Sequence, residues 1–202
     1  MSENKTVTNT QEKVGIKPAL VLAAIAALIS FLIIVVYNMT YVDTSNILTD
    51  KQSAAVIEIY GGTSDDYSVV PAEKWSELFS EGDLSRISKV IRKNDGSLAF
   101  ETVVKGYKNG FDIMVGVKDD KVSGVSIVSV GEETPGLGTK TNNPEFLDKF
   151  KGISGEAVIV KSEPSAQGEV QAVTSATFSS KGVAKAVNIA LEAYKKCGGD
   201  FQ

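Results

Sequence analysis

The residues from Ala19 to Tyr37 read ALVLAAIAALISFLIIVVY, a run in which Ser30 is the only clearly polar side chain. At about 1.5 Å rise per residue, a helix of this length matches a hydrocarbon core of about 30 Å. Such a run either crosses a membrane or is removed as a signal peptide. It exceeds the roughly 7 to 15 residue apolar region of a signal peptide, and no small-x-small cleavage pattern follows in Val36-Tyr37-Asn38-Met39, which favours a retained anchor. Lys13 and Lys17 precede the run, whereas the first basic residue after it is Lys51. The positive-inside rule then predicts a single-pass protein of the cell membrane with a cytoplasmic N-terminus and everything after Tyr37 outside the cytoplasm. Tyr37 and Tyr41 suit the interfacial aromatic belt. The expected organisation is a cytoplasmic tail over 1–18, whose polar residues 1–15 read as disordered, a transmembrane helix over 19–37, a membrane-proximal connector and helix over 38–70, and a folded domain over 71–202.

Composition removes most chemistry. The chain has no histidine and a single cysteine, Cys197. A Ser-His-Asp arrangement is therefore impossible, and Ser-x-x-Lys occurs only in the N-terminal tail, at Ser2 and Lys5. One thiol neither closes an internal disulfide nor holds an iron-sulfur cluster by itself. Beyond residue 40 acidic residues outnumber basic ones by five, which argues against nucleic acid as a partner.

The rest of the chain alternates helical and strand patterns. Asp43-Thr44-Ser45-Asn46 is a turn-rich exit, Thr49 is placed to cap a helix from Asp50 to Tyr60, and Gly61-Gly62 ends it. Pro71 to Phe79 brings Trp75, Leu78 and Phe79 to one side and reads as a second helix. Three β-type runs follow, Ala99 to Tyr107, Phe111 to Lys118 and Lys121 to Val130, punctuated by Asn109-Gly110 and Asp119-Asp120, the pattern of an antiparallel meander. A Gly/Pro-rich loop over 131–143, a short helix over 144–150, one or two strands within 157–173 and a helix over 179–196 complete the reading. Strands in the middle with helices at the ends indicate α+β. In the last helix Val183, Ala184, Val187, Ala190, Leu191 and Tyr194 form one apolar stripe, and Ser179 or Ser180 is placed to cap its start.

Val173-Thr174-Ser175-Ala176-Thr177-Phe178-Ser179-Ser180 empties into that helix, collecting hydroxyls where unpaired N–H groups can bind a phosphate. On spacing alone the same residues also suit a plain strand-to-helix junction. Thr174-Ser175-Ala176-Thr177 resembles the Ser/Thr-Gly-Ala-Thr signature of the FMN-binding domain family, with Ser175 where the family often has Gly. Glu133-Thr134-Pro135-Gly136-Leu137-Gly138-Thr139-Lys140 is similar to that family's Glu-Thr-Pro-Gly-Leu-Gly segment, here with Gly131 where a His often stands. The family includes the G subunit of Rnf ferredoxin:NAD oxidoreductase and the C subunit of sodium-pumping NADH:quinone reductase. The resemblance covers the anchor and residues 43–196.

The resemblance implies a single N-terminal transmembrane helix followed by an antiparallel-sheet FMN-binding domain with flanking helices. It further implies FMN joined to Thr177 by a phosphoester bond, installed by a flavin transferase, and an electron-carrier role among other membrane subunits, with compact length favouring the Rnf type. The expected cofactor-binding residues are Thr177, Thr174, Ser175, Ala176, Ser179, Ser180, Glu133, Thr134, Leu137, Gly138 and Lys140, with Lys181 a further candidate counter-charge. Alternatives are the quinone-reductase C subunit, a membrane-tethered binding or assembly module without flavin, and a free-standing reductase. Glu132 and Glu133, being adjacent in an extended segment, should face opposite sides and so make a poor acid/base pair. Trp75, Tyr107, Phe111 and Phe178 read as core or lid residues, with Phe178 beside Thr177 the one nearest the chemistry.

Overall fold

A computed structural model describes residues 16–40, 46–198 and 201. The tail over 1–15, Tyr41 and the exit turn as far as Ser45 lie outside the described residues. The chain divides into two units, Met1–Asp43 and Thr44–Gln202. The first holds one helix, α1 (Ile16–Thr40), which extends beyond the apolar run at both ends. From Lys17 to Thr40 it is long and apolar enough to cross a membrane, and no part of its most apolar window is buried in the structure.

The second unit is α+β. A helix α2 (Asp50–Tyr60) precedes five strands, β1 (Tyr67–Val69), β2 (Ile87–Lys93), β3 (Leu98–Val104), β4 (Phe111–Lys118) and β5 (Lys121–Ser129). After them come a short helix α3 (Pro144–Leu147), strands β6 (Val158–Val160) and β7 (Glu169–Gln171), and the long helix α4 (Thr177–Lys196). The five strands form one antiparallel sheet in sequence order, and β6 and β7 form a separate parallel pair. Asp119 and Asp120, both in the left-handed region at φ 52° and 59°, make the tight β4–β5 reversal that the Asp-Asp pair announces. The β3–β4 connection is longer, because β3 stops at Val104 and leaves Lys105 to Gly110 as a loop.

Side chains alternate across the sheet with period two. Leu98, Phe100 and Val104 of β3 and Ile113, Val115 and Val117 of β4 join the main core with Val183, Val187 and Ala190 of α4. Ala99 and Met114 face the other way and pack with Ala55 and Val56 of α2. Both faces of β4 are thus covered, which explains its nearly continuous apolar run. A helix covers each face of the central strands.

Three stretches ahead of β3 depart from the sequence reading. Residues 71–79 do not form an α-helix: a 3₁₀ turn over Ala72–Lys74 runs into further turns, with Phe79 buried and the Trp75 indole N–H donating to the Val70 carbonyl at 3.1 Å. The segment buries its aromatics from a coiled path. Strands β1 and β2 occupy stretches to which no element was assigned, since Ile87–Lys93 mixes Ser, Lys and Arg with its apolar residues. Helix α2 and β1, placed by sequence in a connector over 38–70, pack inside the second unit.

The Thr49 capping box is present, its hydroxyl accepting from Gln52 N and the Gln52 side chain accepting from Thr49 N. The other end of α2 rests on a notch in the sheet made by the paired residues Gly116 and Gly124. A β-carbon at Gly116 would stand 2.5 Å from Ile59 Cγ2 and 2.8 Å from the Tyr60 ring. The Tyr60 hydroxyl donates to the Leu98 carbonyl at 2.7 Å, and burial raises its pKa far above the ordinary phenol value. Nearer the start of α2, the buried Glu101 carboxylate accepts from Gln52 Nε2 at 2.8 Å and from Ser88 Oγ at 3.2 Å.

This face of α2 can be tested at two points. Gly116→Ala should lose about 1 to 3 kcal/mol by overpacking, while Gly155→Ala, which would meet nothing within 4 Å, should stay within about 0.5 kcal/mol of wild type. Urea denaturation of both variants checks the contrast. Burial raises the Glu101 pKa above its ordinary 4.5, outweighing the Gln52 and Ser88 hydrogen bonds. The folded state therefore holds this proton to higher pH than the unfolded state, so this group's contribution to stability falls as pH rises from 4.5 through the raised value. Glu101→Gln should remove that fall, read as a flatter dependence of the urea midpoint between about pH 4 and about pH 8.

Candidate functional site

The turn between β7 and α4 is held from behind. Ala176 N donates to the Val173 carbonyl at 2.9 Å, while the Ser180 hydroxyl accepts from Val173 N at 3.1 Å and donates to the Ala176 carbonyl at 2.9 Å. Ser175 sits at φ 66°, in the left-handed region that favours glycine. The strained residue is the one at which the signature often carries Gly, so the turn geometry supplies a reason for that preference.

Helix α4 starts at Thr177, and its N-cap Ala176 offers no side-chain acceptor. Ser179 and Ser180 therefore do not cap it, contrary to the sequence reading. They already stand inside the first turn, Ser180 bonding back to Ala176 and the buried Ser179 donating to Glu133 Oε2 at 2.6 Å. The first backbone bond of the helix runs from Ser180 N to the Ala176 carbonyl at 2.8 Å. The N–H groups of Thr177, Phe178 and Ser179 consequently have no side-chain cap, which is the arrangement that attracts anions. Among the described residues the hydroxyls of Thr174, Ser175 and Thr177 form no hydrogen bond.

This helix start opens onto a cavity of about 380 Å³, within the range typical of small-molecule and cofactor sites. Ser175, Ala176, Thr177 and Ser179 form one wall. Thr134, Leu137 and Gly138 form another, from a loop that holds its own shape: Leu137 N donates to the Thr134 carbonyl at 3.1 Å across a turn with Gly136 at φ 74°, and Gly136 N donates to Thr139 Oγ1 at 3.0 Å. Tyr107 and Phe178 complete the rim, 58% and 66% exposed, with ring centroids 6.3 Å apart. Two exposed aromatic side chains beside a cavity are poorly explained by packing.

The expected site residues separate into those that line the cavity and those that stand behind or outside it. Thr134, Leu137, Gly138, Ser175, Ala176, Thr177 and Ser179 line it. Ser180 is buried behind the turn, Thr174 is exposed on it, and Lys140 is exposed outside the lining. Lys181 lines a different groove, with Asp83 and Glu156. Glu133 is 4% exposed and Glu132 is exposed, but the segment is not extended as the sequence reading had it: Glu133 N donates to the Val130 carbonyl at 3.0 Å and closes a turn through Gly131 and Glu132. Phe111 is fully buried and Trp75 packs against the main core, as read from sequence. Tyr107, read as a core or lid residue, stands at the rim, because β3 stops at Val104 instead of running on to it. Among the described residues no group of three or more His, Cys, Asp or Glu is placed to hold a metal ion.

The FMN-binding domain family matches residues 106–192, a stretch that contains Tyr107, the Glu133 to Lys140 loop and the start of α4. Over 142 residues the chain is 30% identical to the G subunit of the Na(+)-translocating ferredoxin:NAD(+) oxidoreductase complex of Acetobacterium woodii, covering 64% of this chain and 68% of that protein. It is 36% identical over 121 residues to the G subunit of the proton-translocating ferredoxin:NAD(+) oxidoreductase complex of Clostridium ljungdahlii, covering 54% of this chain and 65% of that one, just under two thirds of its length. Among solved structures, the C subunit of the Na(+)-translocating NADH-quinone reductase from Parabacteroides distasonis matches with a TM-score of 0.46 and 23% identity, over 72% of this chain and 88% of that chain.

The strained turn makes a direct prediction. Ser175→Gly relieves a left-handed conformation costing about 1 to 2 kcal/mol against about 0.5 to 1 kcal/mol of extra unfolded-state freedom. The flavin-free protein should therefore gain up to about 1.5 kcal/mol, whereas β-branched Ser175→Val should lose stability, both read from thermal midpoints.

Proposed function

The chain belongs to the FMN-binding domain family, in its group of ferredoxin:NAD(+) oxidoreductase G subunits, and on that premise we propose that it is a membrane-anchored flavin electron carrier of an Rnf-type complex, with FMN joined to Thr177. The observation that carries this reading is the Thr177 hydroxyl, which lines the cavity, stands at the first residue of α4 and makes no other hydrogen bond among the described residues.

FMN fits this donor set. A phosphate esterified to Thr177 Oγ1 lies beside the uncapped N–H groups of Thr177, Phe178 and Ser179 and the positive end of the α4 dipole. Ser175 and Ala176 shape the turn that presents Thr177, and Ser180 holds that turn from beneath. Leu137, Tyr107 and Phe178 supply apolar surface for an aromatic ring, and Thr134 and Gly138 supply the edge of the opposite wall. Lys140 and the exposed Thr174 serve the cofactor's anionic end from outside the lining. When bound, FMN supplies the one-electron chemistry; the side chains around it bind, orient and partly exclude water.

A carrier of this type has no substrate to activate, which suits a chain without histidine. Electron transfer from ferredoxin toward NAD, coupled to ion export, then belongs to the assembled complex rather than to this chain alone. Its partners are the other membrane subunits, and a flavin transferase during maturation. Lys13 and Lys17 before the apolar helix, with no further basic residue until Lys51, support an orientation with the N-terminus cytoplasmic and the flavin domain outside the cytoplasm, and an anchor of this kind suits a cofactor that must stay close to subunits crossing the bilayer.

Thr177→Val is the decisive substitution. Wild type matured with a flavin transferase should carry an FMN-sized mass increment on the peptide containing Thr177 and should fluoresce in a denaturing gel. The variant should lose both while keeping its unfolding free energy within about 0.5 kcal/mol of wild type, since the hydroxyl it removes has no hydrogen-bond partner among the described residues. An unmodified wild-type mass after such maturation overturns the tethered-carrier reading.

A further inference from the structure

Glu133 is the buried charge nearest the cavity, and both oxygens of its carboxylate are occupied. Oε1 accepts from Lys108 N at 2.9 Å and Oε2 from Ser179 Oγ at 2.6 Å. The first bond reaches the β3–β4 connection and the second the first turn of α4. The space around the carboxylate exists because two neighbours lack side chains: a β-carbon at Gly138 would collide with Oε2 and one at Gly106 with Oε1. The carboxylate thus joins the 134–141 loop, the β3–β4 connection and α4, the three segments that supply the walls of the cavity.

Satisfying hydrogen bonds is not the same as neutralising charge. Among the described residues no Lys or Arg forms an ion pair with Glu133, so its compensation comes from an amide, a hydroxyl and the nearby positive end of α4. Gly138 and Ser179 are at once the residues in contact with the carboxylate and members of the cavity lining. A fixed negative charge therefore stands one residue's thickness behind the wall, in a place where water screens it poorly. A neutral amide side chain of the same length would fill the same space, so the charge itself calls for a use.

We propose that Glu133 is a positioning residue with an electrostatic role: clamped behind the cavity wall, its negative charge lowers the reduction potential of the flavin seated there. This rests on the flavin-carrier reading above. Each electron accepted by the cofactor adds negative charge to it, and a fixed like charge nearby opposes that addition. The donor of those electrons is the preceding redox partner, and the same electrons leave to the following one, so the flavin passes them on more readily than it would without Glu133.

Glu133→Gln keeps the shape and one carbonyl acceptor for Lys108 N, and the Ser179 hydroxyl can turn to accept from the new amide. In the flavinylated full-length chain, the midpoint potential of Glu133→Gln should move positive, enough to raise the reduced-to-oxidised ratio at fixed ambient potential by roughly tenfold. Ser179→Ala, which keeps the charge and removes a compensating bond, should stay at or below the wild-type midpoint. In the flavin-free chain the Lys108 amide should remain protected from hydrogen exchange in Glu133→Gln, showing that the clamp survives. Should the mismatch of amide and hydroxyl prevent maturation, the double variant Glu133→Gln with Ser179→Ala carries the same readout. An unchanged midpoint in flavinylated Glu133→Gln overturns the proposal, as does an equal positive shift in Ser179→Ala, which would assign the effect to wall geometry. A wild-type chain that carries no flavin overturns the carrier reading itself, a failure seen by mass before any potential is measured.

Discussion

Two residues without side chains let the long helix settle where it does. A β-carbon on Gly182 of α4 would stand 3.1 Å from both Gly106 Cα and the Lys105 carbonyl oxygen, tighter than ordinary contact, and the Phe111 ring lies 3.4 Å away. Backbone meets backbone at this point. The approach brings the second turn of α4 against the β3–β4 connection, and the apolar stripe of Val183, Val187 and Ala190 then lies along β3 and β4. With that stripe docked, the start of the helix can only fall next to the β3–β4 connection and the loop that follows β5. The cavity is the space left between these three, so its position is a consequence of how α4 packs.

The same packing explains which features were legible in the chain. The meander was readable because β3, β4 and β5 combine apolar alternation with turn residues whose conformations are specific, Asp119 and Asp120 above all. Helix α2 was readable from Thr49, Gln52 and Gly61, all local signals. Strand β2 was not, because its Ser88, Lys89, Arg92 and Lys93 serve long-range partners: Ser88 and Lys89 reach Glu101 and Gln52, Lys93 reaches the Tyr60 carbonyl, and Arg92 the Phe201 carbonyl. Polar residues that look like loop in sequence are here ties to other elements: Ser88 to the neighbouring strand, and the half-buried Lys89, Lys93 and Arg92 to α2 and the C-terminal end. The stretch around Trp75 misleads in the opposite sense, since its helical spacing of aromatics is met by successive turns whose contacts are tertiary.

At the site, residue types were legible and their division of labour was not. The hydroxyl run and the Glu-Thr-Pro-Gly-Leu-Gly segment point to the right two stretches of chain, yet nothing local distinguishes Ser179 from Thr177. Burial separates them: Ser179 and Ser180 are enclosed and committed to Glu133 and Ala176, while Thr177 is only half-buried and faces the cavity. Their partners make the difference: Ser179 gives its hydroxyl to Glu133 and Ser180 its own to the Ala176 carbonyl, while the Thr177 hydroxyl is left to the cavity. For Tyr107 the sequence left core and lid both open, since a strand pattern says nothing about where pairing stops.

A cavity of this kind is better suited to presenting a group than to enclosing one. Its rim includes Tyr107, Leu137 and Phe178, each more than two-fifths exposed, so a bound ring would have apolar surface beneath it and open approach from outside. A loosely enclosed ligand forfeits much of the burial that drives noncovalent affinity. On the proposed reading an ester to Thr177 removes that conflict, because retention no longer depends on the depth of the pocket and the ring can remain within reach of a docking partner. The demand on the protein then shifts from affinity to electrostatics: with little of the ring covered, the fixed charges of the wall, Glu133 on one side and the uncapped start of α4 on the other, are the means left to set how readily electrons enter and leave.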